Sequence, residues 1–198
     1  MDPREFDRRA LESIEPIVAQ VKPGQLRLPT PCEGWDLGDL LRHMIGQHRG
    51  FAAAARLEAA NPSVWLDVDL GPDPAATYLA AAAEVVEAFA RPGLADHRIE
   101  IFGYGVIPAP NTMIMHAVDY LAHGWDVAKT IGADSTLDSE LCEQGMRYAL
   151  RWPAHSFVSG DPFGPHIDVA GDAPVDQRLM AYLGRDPAWS PAGGGAIA

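Results

Sequence analysis

The chain has 198 residues, 47% of them apolar, enough to bury the core of one domain. Its 15 Lys and Arg stand against 27 Asp and Glu, a formal charge of −12; this argues against nucleic acid, whose phosphates reward basic clusters, and against an anionic membrane surface. No apolar run approaches the roughly 20 residues that span a bilayer, the charged start Met1 to Arg9 has no apolar stretch behind it, and Cys32 and Cys142 make no disulfide framework, so a soluble, reduced, cytoplasmic protein is expected.

Asp2-Pro3 reads as a helix cap followed by proline at the first helical position. Phe6, Ala10, Leu11, Ile14, Ile17, Val18 and Val21 then recur at helical spacing, with a kink expected at Pro16 and a stop at Pro23-Gly24. Leu28 to Trp35 is a rigid connector with turn chemistry. Asp36 caps a second helix whose apolar stripe is Leu37, Leu40, Leu41, Met44, Ile45 and Phe51, extended by the alanines up to Ala60 and stopped by Asn61-Pro62. Asp73-Pro74 repeats the cap-then-proline signature ahead of an alanine-rich helix over 75–90.

Residues 96–110 read as a loop or a short hairpin. Asn111 is then the expected cap of a helix closed by Gly132, and a fifth helix runs from about Asp138 to Trp152. Phe163 to Val169 is a candidate short strand, Pro174 to Leu183 a short amphipathic helix, and Ser190 to Ala198 a Gly/Ala/Pro tail expected to be disordered. The expected domain plan is a helical bundle over 1–155, a short α+β extension over 156–189 and a tail over 190–198.

The stretch with most chemistry is His116-Ala-Val-Asp119-Tyr-Leu-Ala-His123-Gly-Trp125-Asp126. Spacing of four stacks Asp119 and His123 on one helix face, where a carboxylate and an imidazole can grip one metal ion. The same spacing also suits a buried histidine hydrogen-bonded to a carboxylate one turn back, and both readings stand at this point. His43, beside the apolar stripe of the second helix, is the candidate third ligand, or else a core histidine donating to a backbone carbonyl, and His48 is the fallback ligand. Two His and one carboxylate leave coordination positions open, as catalysis requires. His116 reads as a partner of that site or as polar surface. Asp126 reads as an anchor for the His123 ring or as a solvated charge. Cys32 precedes a helix start, where a thiolate can be stabilised, although a buried inert thiol is the commoner case. Trp35 and Trp125 read as packing.

Thr30-Pro-Cys-Glu-Gly-Trp35-Asp-Leu-Gly-Asp39-Leu-Leu-Arg-His43, followed by Asp119-x-x-x-His123-Gly-Trp125-Asp126-Val-Ala, resembles the DinB-like superfamily, and within it the actinobacterial branch around mycothiol-dependent maleylpyruvate isomerase. Phe163-Gly-Pro and the stretch from Asp176 to Pro187 resemble the C-terminal signature of uncharacterised metal-binding members of that branch. The resemblance implies an all-α protein, a four-helix bundle with up-down-down-up connections. It also implies a divalent metal, zinc or alternatively nickel, on His43, Asp119 and His123. The isomerase carries Glu at the position of Asp119, and other relatives carry His. Arg178 and Arg185 match the C-terminal signature and are expected to form structural salt bridges.

The function so implied is a thiol transferase or isomerase with mycothiol as co-substrate, acting on a small electrophile, with His48 or His116 moving protons. Two further readings are a metal-binding stress or accessory protein without catalysis, and a Lewis-acid isomerase, cyclase or hydrolase. The expected partner is a small molecule, with no nucleic acid and no membrane, and the protein itself a monomer or homodimer.

Overall fold

The structure, a computed structural model, describes residues 1–58, 61–153 and 163–191. It is mostly helical, with one small two-stranded sheet among the described residues. The first helix, α1 (Pro3–Val18), begins where Asp2 accepts the amides of Arg4 and Glu5, with Pro3 at its first position. Phe6, Ala10, Leu11, Ile14 and Val18 form its buried stripe, and Pro16 lies in its last turn. In α2 (Leu37–Ala55), Asp36 and Asp39 cap each other's amides.

The expected extension of α2 to Ala60 does not form. The helix stops at Ala55, and Leu57 turns the chain with a positive φ of 61°; Ala59 and Ala60 lie outside the described residues. Asn61 opens a separate short helix, α3 (Pro62–Leu66), by accepting the Ser63 amide. Its Trp65 lies across α2 because Gly46 and Gly50 leave room there. A Cβ on Gly50 would stand 2.1 Å from the indole.

After α4 (Pro74–Phe89), capped by Asp73 as expected, residues 96–110 do form a hairpin, β1 (Arg98–Ile101) and β2 (Gly105–Pro108). The strands are antiparallel, with Ile99 opposite Ile107. The next helix, α5 (Ala109–Ile131), starts two residues before the expected cap at Asn111. Proline at the first turn lacks an amide that would need a partner, so the Pro108-Ala109-Pro110 run opens the helix directly, and the Ala109 amide bonds to the His97 carbonyl. Gly132 ends α5 at φ 71°.

The sixth helix, α6 (Ser139–Ala149), is capped by Asp138 and ends short of Trp152 in a turn. The expected strand at Phe163 to Val169 is absent. That segment runs as irregular chain with no strand beside it among the described residues to complete a ladder, and its bond from the Ile167 amide goes to the Ala181 carbonyl at the end of α7 (Val175–Tyr182). The α7 helix itself matches the expected amphipathic element. The expected boundary at 155/156 and most of the expected tail, 190–198, lie outside the described residues.

Burial explains why α5 carries the site. Most of its residues are buried, because it is apolar on more than one face and is covered from several sides. One face joins α1, α2, α4 and the hairpin in a core containing Ile14, Leu41, Met44, Tyr78 and Phe89. The opposite face, through Val118, Leu121 and Trp125, packs on α6, α7 and the start of α1. The α1–α5 contact is close at Gly124, where a Cβ would meet Ile14 Cγ2 at 2.4 Å. Among the described residues no helix is long and apolar enough to cross a membrane.

Candidate metal centre

Helix α2 supplies His43, and α5 supplies Asp119 and His123 one turn apart. One ligand atom from each lies within 4.8 Å of the others. His123 Nε2 is 3.5 Å from Asp119 Oδ1, and the His43 and His123 rings meet edge to face at 5.1 Å. His123 is buried, whereas His43 and Asp119 are half-buried, so the group is reached from the His43 side. There Trp35, 37% exposed, lies with its ring centroid 4.9 Å from that of His43. Trp35 therefore packs on His43 with part of its indole open to solvent.

The back of the His123 ring is anchored. Its Nδ1 lies 3.0 Å from Asp126 Oδ2. Asp126 is fully buried, which alone would raise its carboxyl pKa, but Arg185 and His123 hold it below the usual carboxylate range. Arg185 reaches in from beyond α7, and its Nη2 donates to the same Oδ2 at 3.2 Å. Cys32 Sγ donates to that oxygen as well, at 3.2 Å. Burial and the Asp126 charge push the Cys32 thiol up, so the sulfur stays protonated. Both effects disfavour a thiolate at this helix start, and the expected salt bridge of Arg185 is present, while Arg178 is exposed.

Protonation states follow from this arrangement. Burial disfavours charge on both histidines. At His123 the carboxylates Asp119 and Asp126 outweigh burial and push the pKa up to about 10. At His43 burial and the neighbouring positive His123 bring it down to about 4. His43 is therefore a free base ready to donate a lone pair.

Fit to a metal ion is tested by His123 Nε2, which is buried and has no hydrogen-bond partner among the described residues while Nδ1 is committed to Asp126. A nitrogen held this way, facing a carboxylate and a second imidazole, suits a divalent ion, which would take the place of the Nε2 proton that the same carboxylates hold in the metal-free protein. Cys32, His123 and Asp126 form a second converging group. Its corner already holds a cation, since Arg185 Nη2 lies 3.2 Å from Asp126 and 3.8 Å from Cys32 Sγ. Nor is it a nucleophilic triad, because Cys32 and Asp126 both face Nδ1 of the same ring.

His48 and His116 lie elsewhere. Both are fully buried, which overturns the polar-surface reading of His116. His48 Nδ1 meets His116 Nε2 at 3.2 Å, and His116 Nδ1 meets Asp7 Oδ1 at 2.6 Å. Tyr120 stacks on His48 at 4.0 Å and donates its hydroxyl to the Met44 carbonyl. Burial, reinforced by His116, lowers the His48 pKa well below the ordinary histidine value. This cluster ties α1, α2 and α5 together in the core. Asp7 was missed in the sequence, although it stands three and four residues before the core positions Ala10 and Leu11, an acid on an apolar stripe.

The mycothiol maleylpyruvate isomerase N-terminal domain family matches residues 8–128. Two uncharacterized proteins of Mycobacterium tuberculosis, from two strains, are each 32% identical over 189 residues, covering 93% of this chain and 98% of theirs. No solved structure matches the chain significantly. With the family match covering all three converging residues and more than half of the chain, the protein belongs to the mycothiol maleylpyruvate isomerase N-terminal family, a DinB-like family.

Proposed function

We propose that this protein is a divalent-metal-dependent enzyme that uses a low-molecular-weight thiol, mycothiol, against a small electrophile, as an S-transferase or an isomerase. The observation that carries the reading is the convergence of His43, Asp119 and His123, with His123 Nε2 buried and unpartnered among the described residues. On this reading α1, α2, α4 and α5 are the four helices of the DinB-like bundle, and the ion is zinc, with nickel as the alternative. His43, Asp119 and His123 hold the ion, and Asp126 keeps the Nδ1 proton of His123 so that Nε2 is the donor atom. A bound ion would supply Lewis acidity, lowering the pKa of a thiol or water beside it and polarising a carbonyl.

The half-buried His43 side and the Trp35 indole form the entry, an apolar wall against which a thiol or its electrophile can lie. His48 and His116 enter this reading as core residues, since a proton carrier must reach the reacting group and both rings are buried among Asp7, Phe51, Tyr78, Phe89 and Tyr120.

The test is metal analysis of untagged protein by mass spectrometry, followed by calorimetric titration with mycothiol with and without the ion. About one equivalent of zinc or nickel per chain and thiol binding that requires it are expected. Metal without thiol affinity removes the thiol chemistry, and absence of metal reduces Asp119 and His123 to a partly buried ion pair.

A further inference from the structure

Asp126 presents an uneven set of contacts. Its Oδ2 collects three donors, His123 Nδ1, Arg185 Nη2 and Cys32 Sγ, while Oδ1 is buried and has no partner among the described residues. The carboxylate is thus held by one oxygen, and its direction decides where His123 points. Arg185 neutralises the charge. Cys32 comes from the opposite side of the molecule's sequence, in the turn before α2, and its position is built with care. Thr30 Oγ1 accepts the Cys32 amide at 3.1 Å and donates to the Trp35 carbonyl at 3.0 Å. The Trp35 amide closes the turn on the Cys32 carbonyl at 3.1 Å, and Gly34 supplies the positive φ of 79° that the reversal needs. This turn precedes the helix that carries His43, so one short segment sets both a ligand and the support of a second ligand.

We infer that Cys32 is a positioning residue of the metal centre: its thiol, placed against Asp126 Oδ2, fixes the carboxylate that orients His123, and its sulfur does not bind the ion. Three observations carry this. The sulfur lies on the Nδ1 side of His123, 4.0 Å from that nitrogen, whereas the candidate metal group lies on the Nε2 side. The place a cation would take beside Cys32 and Asp126 is filled by the Arg185 guanidinium. The preformed turn gives the thiol one direction, toward Asp126. The inference rests on the metal reading above.

The experiment compares cobalt(II) and zinc binding to the intact wild-type chain and to Cys32→Ala and Cys32→Ser, with the melting temperature of each metal-free protein measured alongside. Loss of the supporting bond in Cys32→Ala is expected to weaken metal binding about 10–100-fold, the usual effect of removing a group that orients a metal-binding histidine. Cys32→Ser keeps a donor in the same place and is expected to bind within about threefold of wild type. The cobalt spectrum of wild type is expected to lack a sulfur-to-metal charge-transfer band and to match that of Cys32→Ser. Wild-type affinity in Cys32→Ala overturns the positioning role and leaves the metal centre standing. A charge-transfer band lost in Cys32→Ser also overturns it, by making Cys32 a ligand. Absence of metal binding in wild type overturns the metal reading and this inference together.

Discussion

At the scale of single residues, the two histidines of α2 separate two kinds of chemistry. His43 is half-buried, stands beside Trp35 and His123, and is neutral because burial and the His123 charge disfavour its proton. His48, five residues on, points its Nδ1 at His116 and is stacked on Tyr120 in the core. Their roles are expected to part under substitution. His43→Ala should bring the metal content of untagged protein from about one equivalent to near zero with the fold retained, because two remaining ligands hold an ion poorly. His48→Gln should keep the metal and lose roughly 2 kcal/mol of stability, since it disturbs a buried network without touching the centre. Metal analysis and chemical denaturation read both, and metal retained in His43→Ala removes that residue from the centre. The spacing of Asp119 and His123 was legible because a helix makes residues four apart neighbours. The roles of Cys32 and Arg185 were not, since positions 32, 126 and 185 meet only through tertiary packing.

At the scale of elements, the contact that sets the centre is α1 on α5 behind His123. Gly124 has no space for a side chain, because Ile14 stands 2.4 Å from where its Cβ would be. Alanine favours a helix over glycine by about 1 kcal/mol, so an exposed Gly→Ala change in a helix would stabilise. Here overpacking wins, and Gly124→Ala is expected to cost about 2 kcal/mol by urea unfolding. The same change should cost less in an Ile14→Ala background, and equal costs in both backgrounds would show that Ile14 is not the obstacle. Caps and apolar stripes made most elements readable, as Asp2-Pro3, Asp36 and Asp73-Pro74 each start a helix where their chemistry says they should. Misreadings came where tertiary contact overrules local preference. The alanines after Ala55 are good helix formers, yet the chain turns at Leu57 and α3 returns over α2 to seat Trp65 on Gly50. Phe163 to Val169 has strand composition but, among the described residues, no strand to pair with.

At the scale of the whole molecule, the centre joins segments far apart in sequence. The turn at Thr30 to Trp35, helix α2, helix α5 and the residues after α7 all end at Asp126 or His123. Arg185 is the only guanidinium shown in contact with Asp126 among the described residues, and its backbone amide is bonded to the Met180 carbonyl while Nη1 donates to the Leu183 carbonyl. The end of α7 is therefore locked at the moment Asp126 is locked. Binding free energy is shared reciprocally between coupled sites: an ion that favours the ordered His123–Asp126 pair also favours the docked α7, and docking of α7 favours the ion. Arg185→Ala should then act at both ends. It leaves the Asp126 carboxylate buried without its cation, which weakens the hold on His123, and it frees the segment that carries α7. Metal affinity is expected to fall at least about tenfold, and amide hydrogen exchange in residues 175–185 to quicken. In wild type, a chelator should quicken exchange in those same residues while α4, which has no part in the centre, keeps its protection. Exchange near α7 that ignores both the chelator and Arg185→Ala would mean that α7 docks through Leu179, Met180 and Leu183 alone, with Arg185 a passenger on an apolar contact.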